Sequence, residues 1–306
     1  MKTTKLYTSA LLLGVGLACA PPALAQHAVT PLRGGAYLLQ TTVPGMAVND
    51  LLLVRPDSVV LVDTTIPGFY DSLSAVIHGV TAGRSVDTLI STHWHGDHIG
   101  LNADFRVREG TDTIIAHWRT GGFMAQPQFV EDLGMYLPAA PPEAQPTEVV
   151  HGEKRLPLSG ETMTFKTVEN AHSASDLVVY LERANVVYTG DLYFGGMYPV
   201  IDRTIGGTVN GMLHALRQML ARIDHQTIVV PSHGPPGNRE SVLEFTQMLE
   251  TCRDRIRALI AMGLTEEQAV AAQPLADLNA TWGMGMIPGD LFTLIVYRDL
   301  APQRGS

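Results

Sequence analysis

A short segment near residue 95 carries a high density of side chains that bind metal ions. The stretch T-H-W-H-G-D-H, which ends at His98, holds three of the eleven histidines of the chain and one carboxylate, so a chance histidine-rich loop is the weaker explanation. Neutral imidazole is the commonest protein ligand of metal ions, and a neighbouring carboxylate suits zinc or a harder divalent ion. In an extended segment His93 and His95 point the same way. The flexible Gly96 lets Asp97 and His98 turn toward a second position, so the segment predicts two ligands for each of two metals.

Hydrophobic patterning predicts the elements that must position these ligands. The apolar run 86–90 directly before the segment is typical of a buried strand. Further strands are predicted at 36–40, 50–55, 58–65, 113–117, 163–168, 177–181, 185–189 and 227–231. Helices are predicted at 69–83, 101–105, 208–223 and 238–262, with another starting at the capping box of Thr265, whereas 291–300 fits a helix or a strand.

Three further candidate ligands stand next to predicted strands. His172 precedes the strand at 177–181, Asp191 follows the strand at 185–189 and a glycine, and His233 follows the strand at 227–231. Taken singly, each is more often a structural or turn residue than a ligand. Asp63, at the end of the strand at 58–65, is equally consistent with a turn.

Taken together, the candidates form the order H-x-H-x-D-H followed by H, D and H. This pattern resembles the metallo-β-lactamase superfamily, and so do the segments LVDTT, STHWHGDHIG, AHSASD, YTGDLYF and VPSHGPP, which span residues 36 to 235. The resemblance implies an α/β fold, the αββα sandwich, in which two mixed β-sheets pack face to face with helices outside. It also implies a site at one edge of the sandwich, where strand ends meet.

The resemblance assigns the ligands to two metals. It implies that His93, His95 and His172 hold metal 1, and that Asp97, His98 and His233 hold metal 2. Asp191 would bridge the two ions, and Asp63 would orient a ligand from behind.

Asp191 departs from the best-known antibiotic-hydrolysing enzymes of the superfamily. One branch of those enzymes often has a cysteine at this position, and another branch uses histidines without a bridging carboxylate. The set in this chain is more similar to that of the generic hydrolases and of glyoxalase II. A carboxylate in place of a thiolate widens the choice of metal, so two Zn²⁺ are expected and iron or manganese stays open.

The expected activity is hydrolysis by a metal-bridging hydroxide, because two neighbouring divalent ions lower the pKa of a shared water toward ~7. Asp97 is the candidate catalytic residue that handles its proton. The substrate would be a small-molecule amide, ester or lactone, with β-lactam hydrolysis as the first expectation. Alternatives are a thioester or lactone hydrolase of glyoxalase II type and an iron-dependent oxidoreductase similar to sulfur dioxygenases. A metal-binding module without catalysis is the structural alternative.

Two features are expected to shape the pocket. Residues 127–146 form a Pro- and Ala-rich stretch that predicts a long loop with little regular structure, and such loops are usually lids or substrate-contacting segments, or else disordered. Aromatic and methionine side chains flank the ligand segments and either wall the pocket or pack in the core, namely Trp94, Tyr193, Phe194, Met197 and Tyr198.

The ends and the charge of the chain indicate export. Residues 1–25 combine a basic start, an apolar core and the small-x-small pattern of a secretory signal cleaved after Ala25, which favours a periplasmic or secreted protein over a lipoprotein anchored at Cys19. Loss of Lys2 and Lys5 takes the formal net charge from −9 to −11, which disfavours nucleic-acid binding. Residues 26–306, which contain only Cys252 and so no disulfide, are expected to form a single domain with a C-terminal helical extension from about 238 and no membrane span. Composition leaves the oligomeric state open.

Overall fold

The computed structural model describes residues 26–301, which form two large β-sheets covered by helices and one two-stranded hairpin. The strands are β1 Gln26–Pro31, β2 Ala36–Val43, β3 Met46–Val54, β4 Val59–Val62, β5 Thr88–Ser91, β6 Thr113–His117, β7 Gln128–Val130, β8 Met135–Leu137, β9 Glu148–Val150, β10 Glu153–Leu158, β11 Glu161–Val168, β12 Asp176–Leu181, β13 Val186–Tyr188 and β14 Ile228–Val230. The helices are α1 Tyr70–Thr81, α2 Gly96–Ile99, α3 Asn102–Glu109, α4 Thr120–Met124, α5 Val209–Arg222, α6 Arg239–Ala261, α7 Glu266–Ala271, α8 Asn279–Trp282 and α9 Gly289–Leu300.

Both large sheets are mixed. The first has the order β1-β2-β3-β4-β5-β6-β9, antiparallel from β1 to β4 and parallel from β4 to β9. The second has the order β10-β11-β12-β13-β14, with only the last pair parallel. In a parallel pair the carboxyl ends of the strands lie at the same edge, so the residues that follow β4, β5, β13 and β14 can meet there.

Side-chain alternation along the strands builds the layers. Leu51 and Leu53 of β3 pack against the second sheet, with Phe165 and Val179 among their cluster, whereas Leu52 faces the other way. The outer face of the first sheet packs against α1 and α3, and the outer face of the second packs against α5, α6 and α9. Because helices and the opposite sheet cover the inner strands on both faces, β4 and β12 are buried along their whole length, whereas the edge strands β1 and β10 carry exposed residues at alternate positions. The predicted αββα sandwich is confirmed.

The helices after residue 238 belong to the outer layer of the second sheet. Helix α6 begins with a capping box in which Asn238 accepts from the Ser241 amide, and α7 begins with the capping box predicted at Thr265. Residues of α6 and α9 share one buried cluster with the second sheet, and Cys252 lies inside it as a free thiol. The ambiguous stretch at 291–300 lies in helix α9.

The expectation of an almost unstructured loop at 127–146 was wrong. This segment contains the hairpin β7–β8, in which Phe129 pairs with Tyr136, and single 3-10 turns at Glu131–Leu133 and Pro142–Ala144. Gly134 closes the hairpin turn with a φ of 60°, a conformation that glycine adopts at little cost. Strands of three residues are too short for alternation to reveal them in the sequence.

Within residues 26–301, the helices are all too short or too polar to span a bilayer. The predicted signal peptide and its alternative anchor at Cys19 lie outside the described residues.

Candidate metal centre

The seven predicted ligands meet at one edge of the sandwich. They follow or precede strands β5, β12, β13 and β14, whose ends converge there. They divide into two groups whose ligand atoms lie within 4.8 Å of one another: His93, His95, His172 and Asp191 in one, and Asp97, His98 and His233 in the other. The structure thus brings together the residues predicted for each metal, with Asp191 grouped with the first set, and their binding of two metals stays a prediction.

In the first group three imidazole nitrogens converge on one point. His95 Nδ1 lies 3.0 Å from His93 Nε2 and 3.0 Å from His172 Nε2. The other ring nitrogen of His95 donates to Asp202, that of His93 donates to the Thr92 hydroxyl, and that of His172 donates to the Val200 carbonyl. In neutral imidazole the second nitrogen is then an acceptor, so three lone pairs face each other. Three lone pairs that converge in this way can bind one metal ion.

In the second group a carboxylate faces two imidazoles. Asp97 Oδ2 lies 3.2 Å from His233 Nε2 and 3.5 Å from His98 Nε2. The outer nitrogens of these rings donate to the Ala47 carbonyl at 3.1 Å and to Asp63 Oδ2 at 2.8 Å. In the neutral form of each ring the facing nitrogen is an acceptor that can bind a metal ion.

Asp191 spans the two groups. Its Oδ1 lies 3.5 Å from His98 Nε2 and 3.6 Å from His233 Nε2, while its Oδ2 lies 3.6 Å from His172 Nε2 and 4.0 Å from His93 Nε2. Each oxygen thus faces a different group, as a bridging carboxylate must.

A glycine permits this approach of Asp191. The φ of Gly190 is 53°, and a Cβ there would lie 2.8 Å from Thr92 Oγ1. Any larger residue at position 190 would clash with Thr92 and would push the end of β13 away from the segment that follows β5. The carboxylate of Asp191 would move with it.

Orphaned polar atoms show that the residues fit metal ions. His98 Nε2 and Asp191 Oδ1 are buried and have no hydrogen-bond partner among residues 26–301. Burying such atoms unpaired costs roughly 1–3 kcal/mol each. Bound divalent ions would satisfy both atoms and would separate the facing lone pairs of the first group. Imidazole and carboxylate together suit zinc, iron or manganese.

Asp63 accepts a hydrogen bond from the outer nitrogen of His98, so it occupies the orienting position expected for it. Its Oδ2 accepts from His98 Nδ1, and its Oδ1 accepts from the Thr92 amide at 2.7 Å. The Thr92 hydroxyl donates to Asp63 Oδ2, so it accepts from His93 Nδ1 at 3.2 Å. Asp63 therefore fixes the ring orientation of one ligand in each group, directly for His98 and through Thr92 for His93.

Asp202 hydrogen-bonds to His95 of the first group and was not predicted from the sequence. Its Oδ2 accepts from His95 Nε2 at 3.0 Å, and its Oδ1 accepts from the Thr204 amide in the turn that follows. The hydrogen bond from His95 holds the pKa of Asp202 below its usual range despite burial, which by itself raises it. Asp202 lies in a loop far from any predicted strand end, so no local pattern marked it.

The carboxylates and imidazoles of the centre shift each other's pKa in the metal-free chain. Burial lowers the pKa of His98, but Asp97, Asp191 and Asp63 outweigh it and raise the pKa well above its usual range. Burial raises the pKa of Asp97, but His98 and His233 bring it well below its usual range. Asp97 is therefore ionised at neutral pH and is available as a ligand or as a hydrogen-bond acceptor.

A cavity of about 430 Å³ opens beside the ligands. Asp97, Asp191 and His233 form part of its wall, and much of the rest comes from the segment 127–146, namely Leu133, Met135, Leu137, residues 138–141 and Ala144. The segment 127–146, which we call the lid segment, therefore forms part of the cavity wall, and its role as a lid stays a prediction. A volume of this size suits a small molecule.

Of the five flanking side chains expected near the pocket, only Trp94 lines this cavity. Phe194 stacks on the His233 ring with centroids 5.4 Å apart, and Tyr198 stacks on Phe292 at 4.7 Å. Tyr193 is buried in the cluster beside α6, and Met197 packs against that cluster. These four side chains pack in the core, which was the alternative for each, and of the four Phe194 stacks on a candidate ligand.

A buried carboxylate fastens the lid segment. Asp132, whose side chain is only 5% exposed, accepts from Arg203 at 2.9 Å and from Arg298 of α9 at 2.8 Å. Arg298 also donates to Glu266 of α7. Since Arg203 follows Asp202 directly, one loop contacts both a metal-ligand histidine and the lid.

The αββα fold and this ligand set define a metal-dependent hydrolase. A family model described as the metallo-beta-lactamase superfamily matches residues 43–233, more than half of the chain. The chain belongs to that superfamily.

Individual relatives are distant. Metallo-beta-lactamase type 2 of Bacteroides fragilis is 23% identical over 66% of this chain and 74% of its own length. The beta-lactamase-like protein 2 homolog of Caenorhabditis elegans is 24% identical over 68% of this chain and 62% of its own length, and a diflavin flavoprotein of Nostoc sp. is 25% identical over 50% and 24%. The chain thus spans less than two thirds of the latter two proteins.

Solved structures agree on the fold. The metallo-beta-lactamase from Pontibacter korlensis superposes with a TM-score of 0.59 at 20% identity, covering 74% of this chain and 99% of that one.

Proposed function

We propose that the protein hydrolyses an amide, ester, thioester or lactone bond in a small molecule with the help of two zinc ions. The observation that carries the proposal is the position of Asp191, whose two oxygens face two separate groups of ligands beside a cavity. His93, His95 and His172 would hold one ion, and Asp97, His98 and His233 the other. Bound there, the ions would supply Lewis acidity and a water whose pKa lies near ~7.

The side chains of the protein fix the geometry of this reaction. Asp97 is ionised and lines the cavity, so it is placed to accept a hydrogen bond from the attacking water and to orient that water toward a carbonyl. Asp63 and Asp202 keep the rings of His98 and His95 in the tautomers that leave a lone pair toward the ions. The lid segment closes one side of the cavity and limits access of bulk water.

Two considerations bear on the bond that is cleaved. The names of several similar proteins support β-lactam opening, which the sequence also favours. The carboxylate at Asp191 supports instead the thioester and lactone hydrolases with a bridging aspartate, which the sequence resembles. Export to the periplasm or the medium, proposed from residues 1–25, is compatible with both.

An iron-dependent oxidoreductase is the second candidate. The ligand set contains two carboxylates and no thiolate, a combination that also suits iron. The similarity to a diflavin flavoprotein covers half of this chain and agrees with that alternative.

One screen separates the candidates. The protein, purified without added metal, is analysed for zinc and iron and then assayed with a chromogenic cephalosporin, a homoserine lactone, a thioester and a phosphodiester. We expect zinc, and hydrolysis of at least one of the first three compounds. Bound iron with oxygen uptake, and no hydrolysis of any of the four, would contradict the proposal.

A further inference from the structure

We infer that the substrate carries an uncharged, apolar chain beside the bond that is cleaved, and that the hairpin segment is what selects it. The inference rests on the proposed function for the reaction, while its claim about binding is tested separately.

The wall of the cavity divides sharply by chemistry. Its ionisable side chains are His95, Asp97, His172, Asp191 and His233, and all five belong to the candidate metal ligands. The other twenty residues of the wall are aliphatic, aromatic, methionine, proline or glycine. Within the described part of the chain, therefore, this wall offers a substrate no lysine, arginine, hydroxyl or amide side chain.

The nearest cations of the lid are committed elsewhere. Arg203 and Arg298 both donate to Asp132, and neither lines the cavity. Lys154 and Lys166, the two lysines of residues 26–301, lie on β10 and β11, where they contact Glu148 and Gln218. Apart from the proposed zinc ions, whose charge the carboxylates of Asp97 and Asp191 would partly offset, a carboxylate on the substrate would find no cationic side chain on the wall.

The energetics favour an apolar occupant. Burying an ionised group away from a partner is strongly unfavourable, whereas each buried methylene contributes about 0.8 kcal/mol. Leu137 is well placed to contact such a chain, because its Cδ2 lies 3.7 Å from the position of a Cβ on Gly96, directly next to the ligand Asp97. Tyr136, the next residue on the same strand, is 64% exposed and points away.

Binding of methyl ketones tests the inference, because a ketone presents a carbonyl but has no bond to hydrolyse. The affinity of the zinc-loaded protein for 2-pentanone, 2-heptanone and 2-nonanone is measured by calorimetry. We expect the affinity to rise about fourfold per added methylene until the cavity is filled. We also expect 7-oxooctanoate, which adds a terminal carboxylate, to bind at least tenfold more weakly than 2-octanone. Affinity that is independent of chain length, or equal affinity for the keto acid, would overturn the inference.

A pair of variants assigns the selectivity to the hairpin. Leu137→Lys introduces a cation on the cavity wall and should reverse the preference, so that 7-oxooctanoate binds more tightly than 2-octanone. Tyr136→Lys introduces the same charge on the exposed face of the same strand and should leave the preference of the wild type. If both variants behave alike, the hairpin does not select the substrate.

The two proposals fail in different ways. Ketone binding that follows chain length, combined with no hydrolysis of any ester, thioester, lactone or amide, would refute the proposed function and leave the binding inference standing. Hydrolysis of an anionic cephalosporin, combined with ketone affinity that does not depend on chain length, would support the proposed function and refute the binding inference.

Discussion

The two halves of the cavity wall are built by opposite means. At the metal edge, side chains from four distant segments are fixed by hydrogen bonds from behind, so that every ligand imidazole has a partner for its outer nitrogen. In the lid half, short elements from one segment pack through apolar contacts among residues such as Val130 and Ala144. One buried carboxylate, Asp132, ties that half to the body. The difference agrees with the proposals that the metal edge supplies the chemistry and that the lid segment selects the substrate.

The largest effect is expected from removing the residue shared by both groups. Asp191→Ala should cost about a thousandfold or more in kcat/KM, because a metal ion contributes several kcal/mol to stabilisation of the transition state. Metal content should fall by about one equivalent per chain, whereas the circular dichroism spectrum should stay unchanged. Full metal content together with the wild-type rate would show that Asp191 does not bridge.

A residue behind the ligands should have an intermediate effect. Asp202→Asn removes the negative charge that holds His95, so we expect the affinity for zinc to fall about 10- to 100-fold. Titration with a chromophoric chelator measures this affinity. Leu137→Ala in the lid serves as the control and should leave zinc affinity at the wild-type value. An equal loss of zinc affinity in both variants would contradict the separate roles of the two halves of the wall.

Loosening the lid should change substrate binding and leave the metals in place. Asp132→Asn weakens the ion pairs with Arg203 and Arg298, and we expect KM for an apolar ester to rise about tenfold with unchanged zinc content. Steady-state kinetics on p-nitrophenyl octanoate provides the readout. The exposed neighbour Glu131→Gln is the matched control. A rise in KM in both variants, or loss of zinc in Asp132→Asn, would contradict the role of Asp132 in holding the lid segment in place.

The smallest effect concerns stability at the metal edge. Burial raises the pKa of Asp176 to about 7, although it accepts hydrogen bonds from Ser173. The folded state keeps this proton after the unfolded state has lost it, so stability falls as pH rises from about 4 to about 7. Between pH 5 and pH 6 the chelated wild type should lose about 1 kcal/mol of unfolding free energy relative to Asp176→Asn. Urea denaturation at both pH values measures the unfolding free energy of each protein. An equal change in the wild type and in Asp176→Asn would refute the prediction.

The same contrast explains what the sequence could and could not predict. Strands and long helices follow from apolar periodicity, and the strand-end residues His172, Asp191 and His233 were found because a resemblance set their order. Asp202 was missed because its role arises only when a loop 107 residues beyond His95 folds back onto it. The hairpin was missed because its strands hold three residues each. The apolar character of the cavity was also invisible, since its wall is assembled from dispersed segments.

Zinc titration of the metal-free protein tests the central claim most directly. If the seven side chains form a two-metal centre bridged by Asp191, isothermal titration should show two equivalents of zinc bound per chain, and hydrolysis should reach its full rate only after both are bound. Saturation at one equivalent with full activity would contradict the account.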